Sequence, residues 1–402
     1  MRQLNPEKHT TAVLVVLTLF AVVGPVSIDI FTPSLPAITQ YFDTDHTTAQ
    51  WSVGIFMLGF SLSMLIVGPL SDRFGRKNTL LGGYSLYLLA TIATLTTSSI
   101  HLFIAARFAQ ALFGCFGTAV ARTIARDYYS DKMEVKILAY ISACLTLAPM
   151  AAPIAGGYIQ QYAGWQYSFL VMAAFAIIAM LAMTLLPEKS ERNANATTGM
   201  FKGYSAVLTD LRYMRFSVAA GVAFAGAFVF VAGAPFVLIE QLGINPKDYG
   251  FIFAAAIAAY LVSASMGPKL TDRLSREKVT LLSGSTLATG ALISLVSAWF
   301  SGGESVVGYV VGIVVYELGL GIFNPLCQAR ATEHMKNNIG TASGLIFFIE
   351  MLMATLISGA VGLLPVAGTM TLAVATLASA AFATLCLMGT GKPAEQLTAR
   401  TA

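Results

Sequence analysis

Four ionisable side chains stand inside long apolar runs: Asp29, Arg107, Glu317 and Glu350. An ionised acid within a membrane span costs roughly 2.5–3.5 kcal/mol on insertion scales, so such groups normally face a wet cavity or a partner. Glu317 follows Val315-Tyr316 and Glu350 follows Phe347-Phe348-Ile349. Carboxyls in such surroundings can take up and release protons near neutrality, and the same groups can meet a cationic ligand. The structural alternative for each is a protonated acid hydrogen-bonded to a neighbouring helix. Asp29 lies about one turn before Pro33 and Pro36, where its alternative role is a hydrated cap on a kinked helix. Arg107 cannot shed its charge and needs an anion or water. Asp29 lies at a similar depth, so a proton-sensitive pair between them is expected. No His falls deep in an apolar run, which leaves carboxylates as the candidate proton carriers.

Long helices must hold these groups. Charged residues make up 11% of the chain and hydrophobic residues 56%, against about 25% and about 45–50% in a soluble domain. A water-soluble fold is excluded. At about 20 residues per span, twelve helices are expected, roughly at 12–37, 49–70, 79–98, 101–126, 136–161, 166–186, 215–239, 248–267, 279–300, 305–327, 338–362 and 367–389. The first run is too long for a signal-peptide core and reads as a retained helix. The stretch Gly68-Pro-Leu-Ser-Asp-Arg-Phe-Gly-Arg-Lys77 joins the second run to the third. Gly68 and Gly75 are expected to turn the backbone, and Asp72 stands beside Arg73, Arg76 and Lys77. Two hundred residues later Asp272, Arg273 and Arg276 repeat Asp72, Arg73 and Arg76, and Gly267-Pro268 repeats Gly68-Pro69. The halves are therefore parallel repeats, expected as an N-terminal bundle over 1–186, a linker over 187–214 and a C-terminal bundle over 215–402.

Placing both termini in the cytoplasm assigns 22 of the 24 Lys and Arg residues to that side, which fixes the orientation by the positive-inside bias. The net charge of +4 is thus a topology signal and implies no nucleic-acid partner. Cys115, Cys144, Cys327 and Cys386 fall inside helices and suggest neither a disulfide framework nor a metal site. In the linker, Phe201, Tyr204, Leu208 and Leu211 are spaced as the stripe of an amphipathic surface helix, and the sequon at Asn195 is discounted as cytoplasmic. The fifth helix carries Pro149, Pro153, Gly156 and Gly157, a composition for bending and close packing. Arg122, Arg126 and Asp127 close the fourth helix, where Arg126 and Asp127 are expected either to join the Asp72 cluster or to anchor the helix end.

These residues resemble the major facilitator superfamily over nearly the whole chain. Gly68 to Lys77 is similar to its loop signature. Arg107-Phe108-Ala109-Gln110 resembles its fourth-helix motif, with Ala111 where glycine is usual. Ala148 to Gly157 resembles its antiporter motif, retaining Pro153, Gly156 and Gly157 but with Ala148 and Ala152 in place of glycines. Within the superfamily, Asp29 to Pro36, Ala121 to Tyr129 and Pro235 to Glu240 resemble the Bcr/CflA drug-resistance branch. Met57 to Arg76 and Gly117 to Tyr128 resemble its EmrD-type efflux group. The resemblance implies an all-α membrane protein of two six-helix bundles around a central cavity, working by alternating access in a bacterial inner membrane. It also implies that Asp29, Arg107 and Glu317 face the cavity with Glu350 alongside, and that Asp72, Arg73, Arg126 and Asp127 form a latch between conformations.

The leading functional expectation is a proton-coupled antiporter exporting lipophilic, often cationic drugs. Phe56, Met57, Phe60, Phe224, Phe228 and Met351 would supply an adaptable cavity wall, although each is equally at home as a packing residue. A narrower carrier of a nucleoside, amino acid or polyamine is the second expectation. No nucleophile elbow, P-loop or zinc signature points to an enzyme. No cofactor is expected; the partners are small-molecule substrates, protons and lipid, and the chain is expected to act as a monomer.

Overall fold

The structure, a computed structural model, describes residues 6, 8–187, 202–333, 335, 339–364 and 368–387. Among the described residues, twelve helices are long and apolar enough to cross a membrane. They are α1 (Thr10–Tyr41), α2 (His46–Phe74), α3 (Arg76–Thr96), α4 (Ile100–Tyr128), α5 (Lys132–Tyr162), α6 (Trp165–Met183), α7 (Leu211–Gln241), α8 (Pro246–Arg273), α9 (Arg276–Phe300), α10 (Val306–Thr332), α11 (Thr341–Gly362) and α12 (Thr369–Leu387). The first six pack as one bundle and the last six as a second. This all-α, two-bundle architecture is the expected one.

Local chemistry sets the breaks. The regular part of α1 ends at Asp29, and a short 3-10 turn, Thr32–Ser34, leads into Leu35–Tyr41. Pro33 and Pro36 lie in this break, where each missing N–H is tolerated at a helix start. In α7, Pro235 begins a wider π turn over Pro235–Gln241. The turn between α2 and α3 is tighter than expected. Gly68 and Pro69 lie inside α2, and Gly75 alone, at φ 88°, reverses the chain. One left-handed residue suffices, and only glycine adopts that conformation without a steric penalty. The amphipathic stripe is also corrected. Residues 188–201, with Phe201 and the sequon, lie outside the described residues. The short helix Lys202–Leu208 buries Val207 and leaves Leu208 exposed. Leu211, also exposed, already belongs to α7, because the Asp210 carboxylate accepts a hydrogen bond from Tyr213 N at 2.7 Å and caps a new helix there.

Two seams join the bundles. Along the first, α5 meets α8 backbone to backbone. A Cβ added at Gly157 would collide with the Pro246 carbonyl, and one at Gly250 would stand 2.6 Å from the Pro153 carbonyl oxygen. Gly156 similarly admits the Ile30 carbonyl of α1. The small residues of the fifth helix thus serve close approach, while Pro149 and Pro153 remain inside one continuous helix. Along the second seam, Thr355 Oγ1 of α11 lies 3.0 Å from Gly54 O of α2, and Trp51 covers Gly359. At the same end, His46 Nε2 approaches Glu240 Oε2 at 3.1 Å, and the Thr47 hydroxyl donates to the Gly362 carbonyl. This far end is closed. At the opposite end, which carries the Asp72 loop, no ion pair joins the bundles among the described residues.

Gly250→Ala is expected to destabilise the closed end by about 1–3 kcal/mol through overpacking, measured as a lowered thermal midpoint in detergent. Gly267→Ala, whose Cβ would meet nothing within 4 Å, should hold or raise that midpoint.

Candidate functional site

Between the bundles lies a cavity of about 450 Å³ with walls from α1, α2, α4 and α5 on one side and α7, α8, α10 and α11 on the other. Asp29 and Glu317 both line it, so each bundle contributes one carboxyl. Met57, Phe60, Phe224, Phe228 and Met351 line it too. Phe60 and Phe347 meet edge to face across the bundles with centroids 4.9 Å apart, and Phe224 and Phe228 lie 5.0 Å apart. The site is therefore a largely apolar chamber holding two buried acids, open to adaptable contact with aromatic and thioether surfaces.

Other expected members sit elsewhere. Arg107 is wholly buried and does not line the cavity. Its Nη1 donates to Gln110 Oε1 at 2.8 Å and its Nη2 to the Ser27 carbonyl at 3.0 Å. The guanidinium lies 4.0 Å from the Phe31 ring centroid and 4.3 Å from that of Phe56. Among the described residues no ion pair joins it to Asp29, contrary to the expected pair. The guanidinium is held instead by a carbonyl, an amide oxygen and two aromatic faces, with its Nε left without a hydrogen-bond partner. Phe56, expected in the cavity wall, is instead part of this cage. Gln110 in turn donates to Thr91 Oγ1 at 2.8 Å, so the Arg107-to-Gln110 motif ties α4 to α1 and α3.

Glu350 is also buried away from the central wall. Its Oε1 accepts from Gln328 Nε2 at 2.7 Å, and the same amide nitrogen donates to Asn324 Oδ1 at 2.7 Å. Glu350 belongs to a polar network between α10 and α11, lying nearer the loop end than Glu317. The stripe Glu317, Asn324, Gln328 on α10 recurs at helical spacing, a signal in the sequence that was open to reading.

In the loop cluster, Arg76 pairs with Asp72 and, through Nε, with Asp127 Oδ2 at 3.3 Å. Arg126 turns instead to Glu134 at 3.6 Å, and Arg73 lies over its neighbour Phe74 at 5.3 Å. Lys77 is half-buried in the first turn of α3. The second repeat builds the same kind of clamp with a different acid. Arg276 meets Glu333 at 2.9 Å, and Glu333 also holds Arg212 at 3.0 Å. Sequence reasoning missed Glu333, and it did not place Arg122 and Tyr260 in the cavity, which they line beside the acids.

The Major Facilitator Superfamily model matches residues 17–358, most of the chain. The chain belongs to that superfamily. It is 26% identical over 371 residues to an uncharacterized transporter of Bacillus subtilis, covering 89% of this chain and 90% of the relative. It is 24% identical over 343 residues to the multidrug transporter MdfA of Yersinia pestis, covering 85% and 84%, and 24% identical over 370 residues to a bicyclomycin resistance protein homolog of Haemophilus influenzae, covering 88% and 91%. Among solved structures, the nucleoside transporter NupG superposes with a TM-score of 0.73 at 12% identity, covering 94% of this chain and 97% of that one. A D-xylose-proton symporter superposes at 0.71 with 13% identity, covering 93% and 97%. The superfamily places the chain among multi-pass membrane transporters of small molecules.

Arg107→Lys keeps the charge but loses the planar fork and the stacking on two rings. The expected outcome is a folded protein with a thermal midpoint lowered by several degrees, corresponding to about 2–3 kcal/mol, checked by melting in detergent.

Proposed function

We propose that the protein moves small organic solutes by proton-coupled alternating access through the central cavity. The observation that carries this is the presence of two buried carboxyls, Asp29 and Glu317, from opposite bundles in one mostly apolar chamber. Each group can exchange a proton for a cationic or hydrogen-bonding substrate when its surroundings change. In this reading both termini lie in the cytoplasm of a bacterium, the cavity opens inward, and the far-end seams close the outer face. Pro153, Gly156 and Gly157 serve the α5 seam. The Asp72, Arg76 and Asp127 clamp, with Arg73, Arg126 and Lys77 around it, steadies the inward-open arrangement of the first bundle. Arg107 acts as scaffold for α1 beside Asp29, and Glu350 as a second protonatable group on the loop side of Glu317.

Two substrate classes fit this reading. Export of lipophilic, often cationic compounds is favoured by the aromatic and methionine wall and by relatives named as drug-resistance proteins. Such a protein would stand near the Bcr/CflA, EmrD-like branch. A narrower carrier of one metabolite class is favoured by the polar Thr118, Arg122 and Tyr260 in the same wall, and proteins of like fold include carriers of xylose and nucleosides. The wall polarity gives this second reading the stronger claim for a hydrophilic solute.

Proton movement in liposomes containing the purified protein separates the cases. Several unrelated lipophilic cations triggering proton flux would support broad export; flux with one metabolite class alone would support the narrower carrier. Asp29→Asn is expected to abolish solute-driven proton movement while leaving folded protein in the membrane. Normal flux from that variant would remove Asp29 from coupling.

A further inference from the structure

The cavity wall carries charge of both signs. Besides Asp29 and Glu317 it includes Arg122, while the acids near the loop end are taken by other bases. Arg126 takes Glu134, and Arg76 takes Asp72 and Asp127. Among the described residues no carboxylate pairs with Arg122. A surface anchor would sit in the last turn of its helix, but Arg122 lies six residues before Tyr128, where α4 ends, on the same side as Thr118, another lining residue.

Hydrogen bonds between helices give the relative levels. Thr118 Oγ1 donates to the Ala21 carbonyl at 2.9 Å, which sets those two residues at one height. At 1.5 Å per residue, Arg122 stands about 6 Å from that level toward the loop end, and Asp29 about 12 Å from it toward the far end. Tyr316 Oη donates to the Ala223 carbonyl at 2.7 Å, placing the adjacent Glu317 near the middle of α7, between the two. After the reach of the side chains is allowed for, about 10 Å along the membrane normal separates the guanidinium from the Asp29 carboxyl, and less separates it from Glu317. The wall between them is aromatic, with Phe60 against Phe347 and Phe224 against Phe228.

Resting on the transport reading above, we infer that the cavity selects amphoteric substrates, with an amine and a carboxylate at opposite ends of an apolar body about 10 Å long. The amine meets Asp29, the flat body lies among the phenylalanines, and the carboxylate takes the fork of Arg122, whose paired donors match a carboxylate in geometry and charge. A simple cation leaves Arg122 unpaired and brings a second positive charge past it. An α-amino acid is too short to reach both poles. This makes Arg122 a specificity-determining residue.

The test uses the full-length protein in nanodiscs and liposomes with two probes sharing one aromatic body. The first is an amino acid with its amine and carboxylate about 10 Å apart; the second is its methyl ester, which keeps the amine and loses the acid charge. The native protein is expected to bind the zwitterion about tenfold more tightly than the ester. Arg122→Gln should bring the two within about twofold of each other, and Arg122→Lys should restore part of the preference. A thermal melt confirms that each variant is folded, and Thr123→Ala, one position along the same helix, serves as a control expected to retain the preference. Equal binding of the two probes by the native protein, or an undiminished preference in Arg122→Gln, overturns the inference while proton flux with the ester leaves the transport reading standing. If neither probe binds, the inference falls, and the transport reading is decided by the solute panel above.

Discussion

Close backbone approach at one end of the molecule is the constraint on which the rest depends. Glycines 157 and 250 let α5 and α8 touch main chain to main chain, and Gly156 lets α5 receive the turn after Asp29. Packing of this kind replaces the hydrophobic effect, which offers little between helices already surrounded by lipid. Closing that end gives the cavity a floor, and it fixes the level at which the broken α1 presents its carboxyl. The Thr355 contact to Gly54 and the stacking of Trp51 on Gly359 do the same between α2 and α11.

Buried charge is distributed in two ways that differ in chemical consequence. Arg107 is held within its own bundle by an amide, a carbonyl and two aromatic faces, with only its Nε unpaired. Asp29 and Glu317 instead border open space, where the balance between a proton and another partner can shift. Glu350 is intermediate, held by Gln328 but close to an end of the bundle. The cost of placing a charge in an apolar medium is therefore met by protein groups in one case and left to visiting partners in the other.

The sequence made the helix number, the two-fold repeat and part of the cavity wall legible, because each rests on long-range composition or on residue type within a helix. Asp29 and Glu317 were found as ionisable residues in apolar runs, and Met57, Phe60 and Met351 as adaptable aromatic and thioether surfaces. Depth along a span was a poorer guide to pairing. Asp29 and Arg107 share a level, but the rotational position of each on its helix sends one to the cavity and the other into a cage. Phe56 and Met57 are adjacent in the chain and face different environments for the same reason. Arg122 was named only as a base closing the fourth helix, since a base near a helix end reads as an anchor, and Glu333 was missed because the second repeat moved its acid to a position that matches no motif. Gly68 suggested a turn, but the helix passes through it to Gly75, since glycine permits a bend without requiring one.

The clamps of the two repeats share a property with a mechanical consequence. Arg76 with Asp127 and Arg276 with Glu333 each bind the start of the third helix of a bundle to the end of its fourth. Neither reaches across to the other bundle. Each bundle is thereby braced internally at the Asp72-loop end. At mid-height the bundles touch where Phe60 meets Phe347. In the alternating access proposed above, rocking of the bundles would load the glycine seams and the His46 to Glu240 contact and leave the braces intact, so resistance to motion would be concentrated in a thin band at one end of the molecule.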